Sequence, residues 1–276
     1  MTTSRLLIAS AFLMFADAAV PQDMSEAEQI YSSLKWSSGP GTYDVTSRAE
    51  IDLPEGFDRL GPSDTKKLME LYENPSSGNE YYVGPEDARW FAVFSYDDTG
   101  HITDDEEIDP NDLLDSIRAG TKEGNAERRR RGWAEMEIVG WSYEPFYSDR
   151  TNRLSWAVLA ESEGARIVNY NTRLLGRTGV ISAILVADPE TLDDSVDEFE
   201  ALLEGFNYKP GNTYAEYRSG DKLATYGLAA LVTGGAAAAV AKGAGKGLFK
   251  FIGVAILAVI AFFRNALRRI FSSKKE

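Results

Sequence analysis

Val168-Asn169-Tyr170-Asn171-Thr172-Arg173-Leu174-Leu175-Gly176-Arg177-Thr178-Gly179-Val180-Ile181-Ser182-Ala183-Ile184-Leu185-Val186-Ala187 decides the fold class. Two runs rich in apolar and β-branched residues flank the turn Gly176-Arg177-Thr178-Gly179, and so short a connection joins antiparallel neighbours. Upstream, residues 136–143 and 154–160 have the same character, so the chain reads as four strands at 136–143, 154–160, 166–175 and 179–187. Before them, Leu113, Leu114, Ile117 and Arg118 recur at helical spacing between Asp109-Pro110 and Gly132, which predicts a long helix over 109–131. Further upstream lie an apolar strand at 90–96, a short helix at 62–73 opened by Pro62, and a strand at 43–53 that runs into the turn Leu53-Pro54-Glu55-Gly56-Phe57. Downstream, Leu192, Val196, Phe199, Leu202 and Leu203 form one face of a closing helix at 189–205. The expected class is α+β: one antiparallel sheet packed with helices, plus a C-terminal transmembrane helical region.

The same stretch carries the richest polar pattern. Strand alternation places Asn169, Asn171 and Arg173 on one face and Val168, Tyr170 and Thr172 on the other. Two amides and a guanidinium in a row suit hydrogen bonding to an extended peptide, a glycan or a carboxylate. Asn169, Asn171, Arg173 and Arg177 are therefore the candidate partner-binding residues, against the simpler reading of a polar sheet face paired with the chain's acids.

Composition removes much chemistry. The 276 residues contain no Cys and one His, which excludes disulfides, thiol catalysis, iron–sulfur clusters and most His-rich metal sites. His101 follows Ser95-Tyr96-Asp97-Asp98-Thr99-Gly100, a run with part of the spacing of a calcium loop, but Ser95 replaces the first acid and a strand precedes it, so a hairpin turn is expected there. Asp188, Asp193, Asp194 and Asp197 read as a helix N-terminus and its solvent face, and no carboxylate pair is singled out. Trp133, Trp141 and Trp156 with Tyr143 and Tyr147 read as core before they read as a sugar or peptide site. No nucleophile elbow, phosphate loop or dinucleotide fingerprint is present, so no cofactor, metal or catalytic residue is assigned.

The net charge of −14 divides unevenly. Residues 1–222 hold 21 basic and 42 acidic groups, which argues against nucleic acid, whereas residues 223–276 hold eight basic groups and one acid. Arg128 to Arg131 read as a solvated helix end that compensates the helix dipole. Arg5, the apolar stretch 6–16 and Ala16-Asp17-Ala18 have the form of an export signal over residues 1–18, cleaved or retained.

A linker is expected over 19–42, with Ser37-Ser38-Gly39-Pro40-Gly41 in it, the exported domain over 43–222, and an Ala/Gly-rich membrane-associated helix over 223–247. A transmembrane helix follows over 248–264, anchored by Phe251, Ile252, Ile256, Leu257, Ile260, Phe262 and Phe263; a second span over 223–241 stays open. Arg264, Arg268 and Arg269 flank it and place the basic tail, 265–276, in the cytoplasm. Gly235, Ala239, Gly243 and Gly247 form a stripe of small residues suited to self-association.

Several segments together resemble the bacterial family known as domain of unknown function 2167: Leu53-Pro54-Glu55-Gly56-Phe57, Val93-Phe94-Ser95-Tyr96, Leu154-Ser155-Trp156-Ala157, Tyr226-Gly227-Leu228-Ala229-Ala230-Leu231-Val232 and, most specifically, Asn169-Tyr170-Asn171-Thr172-Arg173-Leu174-Leu175-Gly176-Arg177. The resemblance runs from about Trp36 to Val240 and implies membrane anchorage in bacteria, with no activity, cofactor or catalytic residue attached. Residues and resemblance lead to one expectation: a membrane-anchored envelope protein, a non-enzymatic binding or assembly module facing the periplasm from the inner membrane, with an envelope protein as partner. A carboxylate-dependent hydrolase acting on an envelope polymer is the alternative.

Overall fold

The computed structural model describes residues 22–106 and 108–233. The expected signal, the anchoring residues Phe251 to Phe263, the flanking Arg264, Arg268 and Arg269, and the stripe Gly235, Ala239, Gly243 and Gly247 all lie outside the described residues. Among the described residues, no helix is long and apolar enough to cross a membrane. Among the described residues, those up to Leu34, with helix α1 (Gln22–Ser33), form a unit of their own, and those from Lys35 onward form the second unit.

The second unit is built on an eight-stranded, wholly antiparallel sheet in the order β1-β4-β5-β6-β10-β9-β8-β7. Its strands are β1 (Ser37–Ser38), β4 (Phe57–Leu60), β5 (Tyr81–Pro85), β6 (Phe91–Asp97), β7 (Glu137–Ser148), β8 (Arg153–Ser162), β9 (Ala165–Leu175) and β10 (Val180–Ala187). The four-strand meander falls where the sequence predicts it, and Leu175 pairs with Val180 across the turn. The two-residue loop Glu163-Gly164 between β8 and β9 has positive φ at both positions, as a twisted hairpin requires.

A smaller sheet, β11-β3-β2, consists of β2 (Gly41–Thr46), β3 (Ala49–Leu53) and β11 (Phe206–Tyr208). The single strand expected over 43–53 is thus a hairpin. It turns at Ser47-Arg48 and carries a bulge between Asp44 and Thr46, and such a turn has no Gly or Pro to mark it. Within the expected linker, Ser37 and Ser38 pair with Arg59 and Asp58, because backbone groups at a sheet edge find partners whatever their side chains.

The two faces of the large sheet are covered differently. On one, helix α4 (Leu192–Leu203) and the smaller sheet enclose the main core, in which Phe199 meets Trp90, Phe94 and Tyr170 at ring separations of 5.9, 6.3 and 6.2 Å. On the other, helix α2 (Pro62–Leu71) covers an aromatic pile of Trp36, Tyr82, Phe91 and Tyr72 near β5 and β6. Helix α3 (Pro110–Arg131) runs along the far edge strand β7 on this face, from the Trp141–Pro110 contact at its start to the Asn125–Met136 pair near its end. Asp109 caps it by accepting from the Asn111 N–H, and Gly132, at φ 74°, ends it in the left-handed conformation.

Downstream of β11 the chain returns along this end of the sheet. His101 forms a parallel bridge with Leu223, for which Gly100 is needed: at φ 94° it is left-handed, and a Cβ there would stand 2.7 Å from the Leu223 carbonyl carbon. The hairpin expected around His101 is therefore a junction between distant segments, and no helix precedes the Asp97–Glu106 run as a calcium loop would need. Helix α5 (Leu228–Val232) follows, its Leu228, Ala230, Leu231 and Val232 buried.

Candidate functional site

The alternation along β9 is as the sequence predicts: Val168, Tyr170 and Leu174 join the main core, and Asn169, Asn171 and Arg173 face the side of α3. That face is not an open surface. Asn169, Asn171 and Arg173 are only 1%, 8% and 7% exposed and form part of the floor of a cavity of about 750 Å³ between the sheet and α3. Trp156, Val158 and Ile184 complete the floor from β8 and β10. Trp133, Met136 and Ile138 close one side, and Val232 and Thr233 a further part of the wall.

The cavity follows from the composition of α3. Its apolar residues, Leu113, Leu114 and Ile117, sit in its first half; the second half, Gly120 to Arg131, has no large apolar side chain with which to fill the space above β9. Instead it is tied to the edge. Arg118 donates to the carbonyls of Ile138 and Val139 at 3.4 and 3.0 Å, and Asn125 exchanges a pair of hydrogen bonds with the Met136 backbone at 2.8 and 3.0 Å. Trp141 Nε1 donates to the Pro110 carbonyl. Held by β7, the helix stands away from the sheet centre, and its exposed residues Glu123, Gly124 and Arg130 border the cavity on the solvent side.

The electrostatics are unusual for so acidic a chain. The Arg173 guanidinium lies over the Trp156 ring at 4.8 Å and makes none of the ion pairs among the described residues. Its Nη1 and the Oδ1 of Asn169 are buried with no hydrogen-bond partner among the described residues. Burial lowers the Arg173 pKa to about 10, with Asp97 opposing the shift at longer range. Desolvation in turn raises Asp97.

Arg128 is also buried in the cavity wall, at 5% exposure, and it too makes no ion pair among the described residues. It donates from Nε to the Ala134 carbonyl and from Nη1 to the Glu73 carbonyl, and burial again lowers its pKa. Arg129, Arg130 and Arg131 behave as the sequence predicts, exposed and paired with Glu135 and Glu127, whereas Arg128 departs from that reading because the helix turn aims it inward. Arg128 and Arg131 stand on Trp133 at 5.8 and 4.8 Å. Asn74, beside the cavity-lining Pro75, is fully buried with both amide atoms unpartnered among the described residues.

Arg177 does not join the other three candidates. It holds Asp221 through Nε and Nη2 at 2.7 and 2.8 Å, and this bidentate contact keeps the Asp221 carboxyl at about 2. With the Gly176–Thr213 bridge it fastens the β9–β10 turn to the returning chain. His101 is clasped nearby between the Tyr214 and Tyr217 rings at 4.4 and 4.1 Å, its Nδ1 3.2 Å from the Arg177 carbonyl. Of the three tryptophans, Trp133 and Trp156 reach the cavity and Trp141 does not line it. Asp193 accepts a hydrogen bond from the Tyr143 hydroxyl, on the opposite face of the sheet. No group of three His, Asp or Glu side chains suited to a metal ion occurs among the described residues.

Sheet, edge-held helix and the cavity between them define an α+β protein in which Arg173 in the floor and Arg128 in the wall are set among apolar residues. The chain belongs to the family described as protein of unknown function (DUF2167), whose pattern matches residues 37–267. Among solved structures it is similar to the cyanobacterial PsbP protein (CyanoP) of Synechocystis sp. PCC 6803, with 12% identity over 71% of this chain and 99% of that one, at a TM-score of 0.36. A likeness to the Ran-binding protein Mog1p of Saccharomyces cerevisiae has 9% identity, 65% and 100% coverage and a TM-score of 0.31. The apo immunity protein TplEi of Pseudomonas aeruginosa gives 11%, 68% and 59%, and 0.29. Identities and scores at this level carry no shared function. No curated protein matches the chain.

Proposed function

We propose that this protein is a binding module whose site is the cavity between the sheet and α3, carried on an exported domain anchored in the bacterial inner membrane. The observation that supports it best is the buried Arg173 guanidinium, which faces a cavity of about 750 Å³ with Nη1 unpartnered. A volume of this size suits a small organic ligand. An unpaired buried charge is costly to the fold and is expected where a ligand completes it.

A binding role is favoured over a hydrolytic one by the lining groups. The acids among them, Glu123 and Glu127, are one turn apart on α3, and Glu127 is occupied by Arg130 and Arg131. Anchorage and export rest on the charge asymmetry and apolar segments of the sequence.

Two measurements test the reading. Native mass spectrometry of the full chain released from its own membranes is expected to show a bound small molecule, lost when Ile184→Trp fills the cavity; natural protein and variant each at its own unliganded mass overturns the cavity as the site. Because the chain has no cysteine, single replacements at Ser219 and Ser272 report sidedness. A membrane-impermeant maleimide added outside the inner membrane should label Ser219→Cys and spare Ser272→Cys, and the reverse pattern would sink the orientation.

A further inference from the structure

The chemistry of the cavity says what class of molecule it takes, on the premise that the cavity is the binding site. Its floor presents one guanidinium with a free donor, Arg173 Nη1, one free acceptor, Asn169 Oδ1, and the Asn171 amide, which donates to the Asn169 carbonyl at 3.0 Å. Trp156 backs the guanidinium plane and so fixes the direction of its donors. Apolar surface surrounds these groups, Val158 and Ile184 in the floor and Met136, Ile138 and Trp133 at one side, while the α3 side carries charged residues. The second buried guanidinium, Arg128, keeps its charge but spends donors on two backbone carbonyls, so the free donor is Arg173 Nη1.

These features select among ligands by charge and shape. A cation would meet two guanidiniums, Arg173 and Arg128, with Asp97 acting on Arg173 only at longer range. A neutral apolar molecule would leave Nη1 desolvated and unpaired. A phosphate dianion would turn its remaining oxygens toward apolar surface, with Arg173 Nη1 as the free buried donor to meet them. A planar carboxylate matches the guanidinium fork with two parallel acceptors and leaves the rest of the molecule to the apolar walls.

We infer that the cavity binds an amphipathic monocarboxylate, its carboxylate on Arg173 and its apolar body along Trp133, Met136, Ile138, Val158 and Ile184. Asn169 accepts from a hydroxyl or amide of the ligand where one is present. Arg128 fixes the wall and raises the local positive potential.

The test is a titration of the full chain followed by tryptophan fluorescence, for which Trp133 and Trp156 are placed in the cavity. The probes are octanoate, 1-octanol, octylamine and inorganic phosphate. Octanoate is expected to bind about tenfold to a hundredfold more tightly than 1-octanol, as a charge-assisted hydrogen bond adds. Octylamine should be the weakest of the three amphiphiles, and inorganic phosphate should not displace octanoate.

In Arg173→Met the preference for octanoate over 1-octanol should vanish, through loss of octanoate affinity. Arg173→Lys, which keeps the charge without the fork, should retain part of it. Equal affinity for octanoate and 1-octanol in the natural protein overturns the monocarboxylate inference and leaves the cavity as a binding site. Displacement by inorganic phosphate overturns it in favour of a simple anion site. Absence of any amphiphile binding, with Ile184→Trp indistinguishable from the natural protein, removes the cavity reading itself.

Discussion

The two faces of β9 are built from alternate residues of one strand and have opposite fates. Under α4, Tyr170 meets Phe199 and the space is filled by a hydrophobic core cluster; under α3, Asn171 and Arg173 look into a cavity. The difference comes from the covering helices. Leu192, Val196, Phe199, Leu202 and Leu203 give α4 a continuous apolar stripe, whereas the second half of α3 offers Gly120, Gly124, Asn125 and arginines. A close-packed face contributes stability in proportion to the atoms it buries, and a hollow one sacrifices that contribution for room.

The comparison can be broken most directly by truncation. Phe199→Ala should cost about 3–5 kcal/mol, as expected for a large aromatic removed from a filled core. Ile184→Ala should cost only about 2 kcal/mol, near the low end for such changes, because its side chain borders the cavity. Denaturant melts that rank the two equally would mean the α3 face is packed as tightly as the other.

The next largest effect has the opposite sign. Arg173→Met removes a buried charge without an ion-pair partner, so stability should hold or rise by about 1–4 kcal/mol. A loss of stability in the same melts would make Arg173 a structural group.

Two smaller changes sharpen the contrast in backbone terms. Glu163 sits at φ 50° in the β8–β9 hairpin, on neither covering helix. Glu163→Asn should add about 1 kcal/mol without touching ligand affinity, since Asn accepts this conformation more readily. Gly124→Ala should add about 0.4–1 kcal/mol, because its Cβ would meet nothing within 4 Å and the helix loses a flexible residue. No gain there would mean that α3 is held in place by its attachments to β7 regardless of its own propensity.

The smallest effect is electrostatic and belongs to neither face. Asp221 is held at about 2 by Arg177, below the usual carboxylate value of about 3.9. A depressed folded-state pKa stabilises the fold above the unfolded value and loses that contribution as pH falls from about 4 toward 2. Acid titrations of Asp221→Asn should therefore be flatter than those of the natural protein in that window; parallel curves would remove the Arg177–Asp221 clasp from the account.

Much of this architecture was legible in local pattern. The meander, the cap and stop of the long helix and the stripe of α4 follow from turn residues, Asp109, Gly132 and apolar spacing, which act over a few residues. The hairpin of β2 and β3 and the short strands β1, β4, β5 and β11 were not, because strands of two to six residues beside partners far away in the chain carry too little periodicity. The polar face of β9 was visible as Asn169, Asn171 and Arg173. Its enclosure was not, although the lack of large apolar residues from Gly120 to Arg131 was a signal available in the sequence. Arg128 was hidden among three solvated arginines, and Arg177 looked like a continuation of the polar row although the turn carries it away.

By itself the sequence determined the α+β class, the faces of β9, the family and the exclusion of thiol and most metal chemistry, since these depend on residue identity and on periods of two or 3.6. Only the tertiary structure decided that the polar face is the floor of a cavity, that one arginine of four turns inward, and that Arg173 has no ion-pair partner among the described residues. Those facts depend on which distant segment covers the sheet and how closely it approaches, and that distance is set by the fit of side chains from separate parts of the chain.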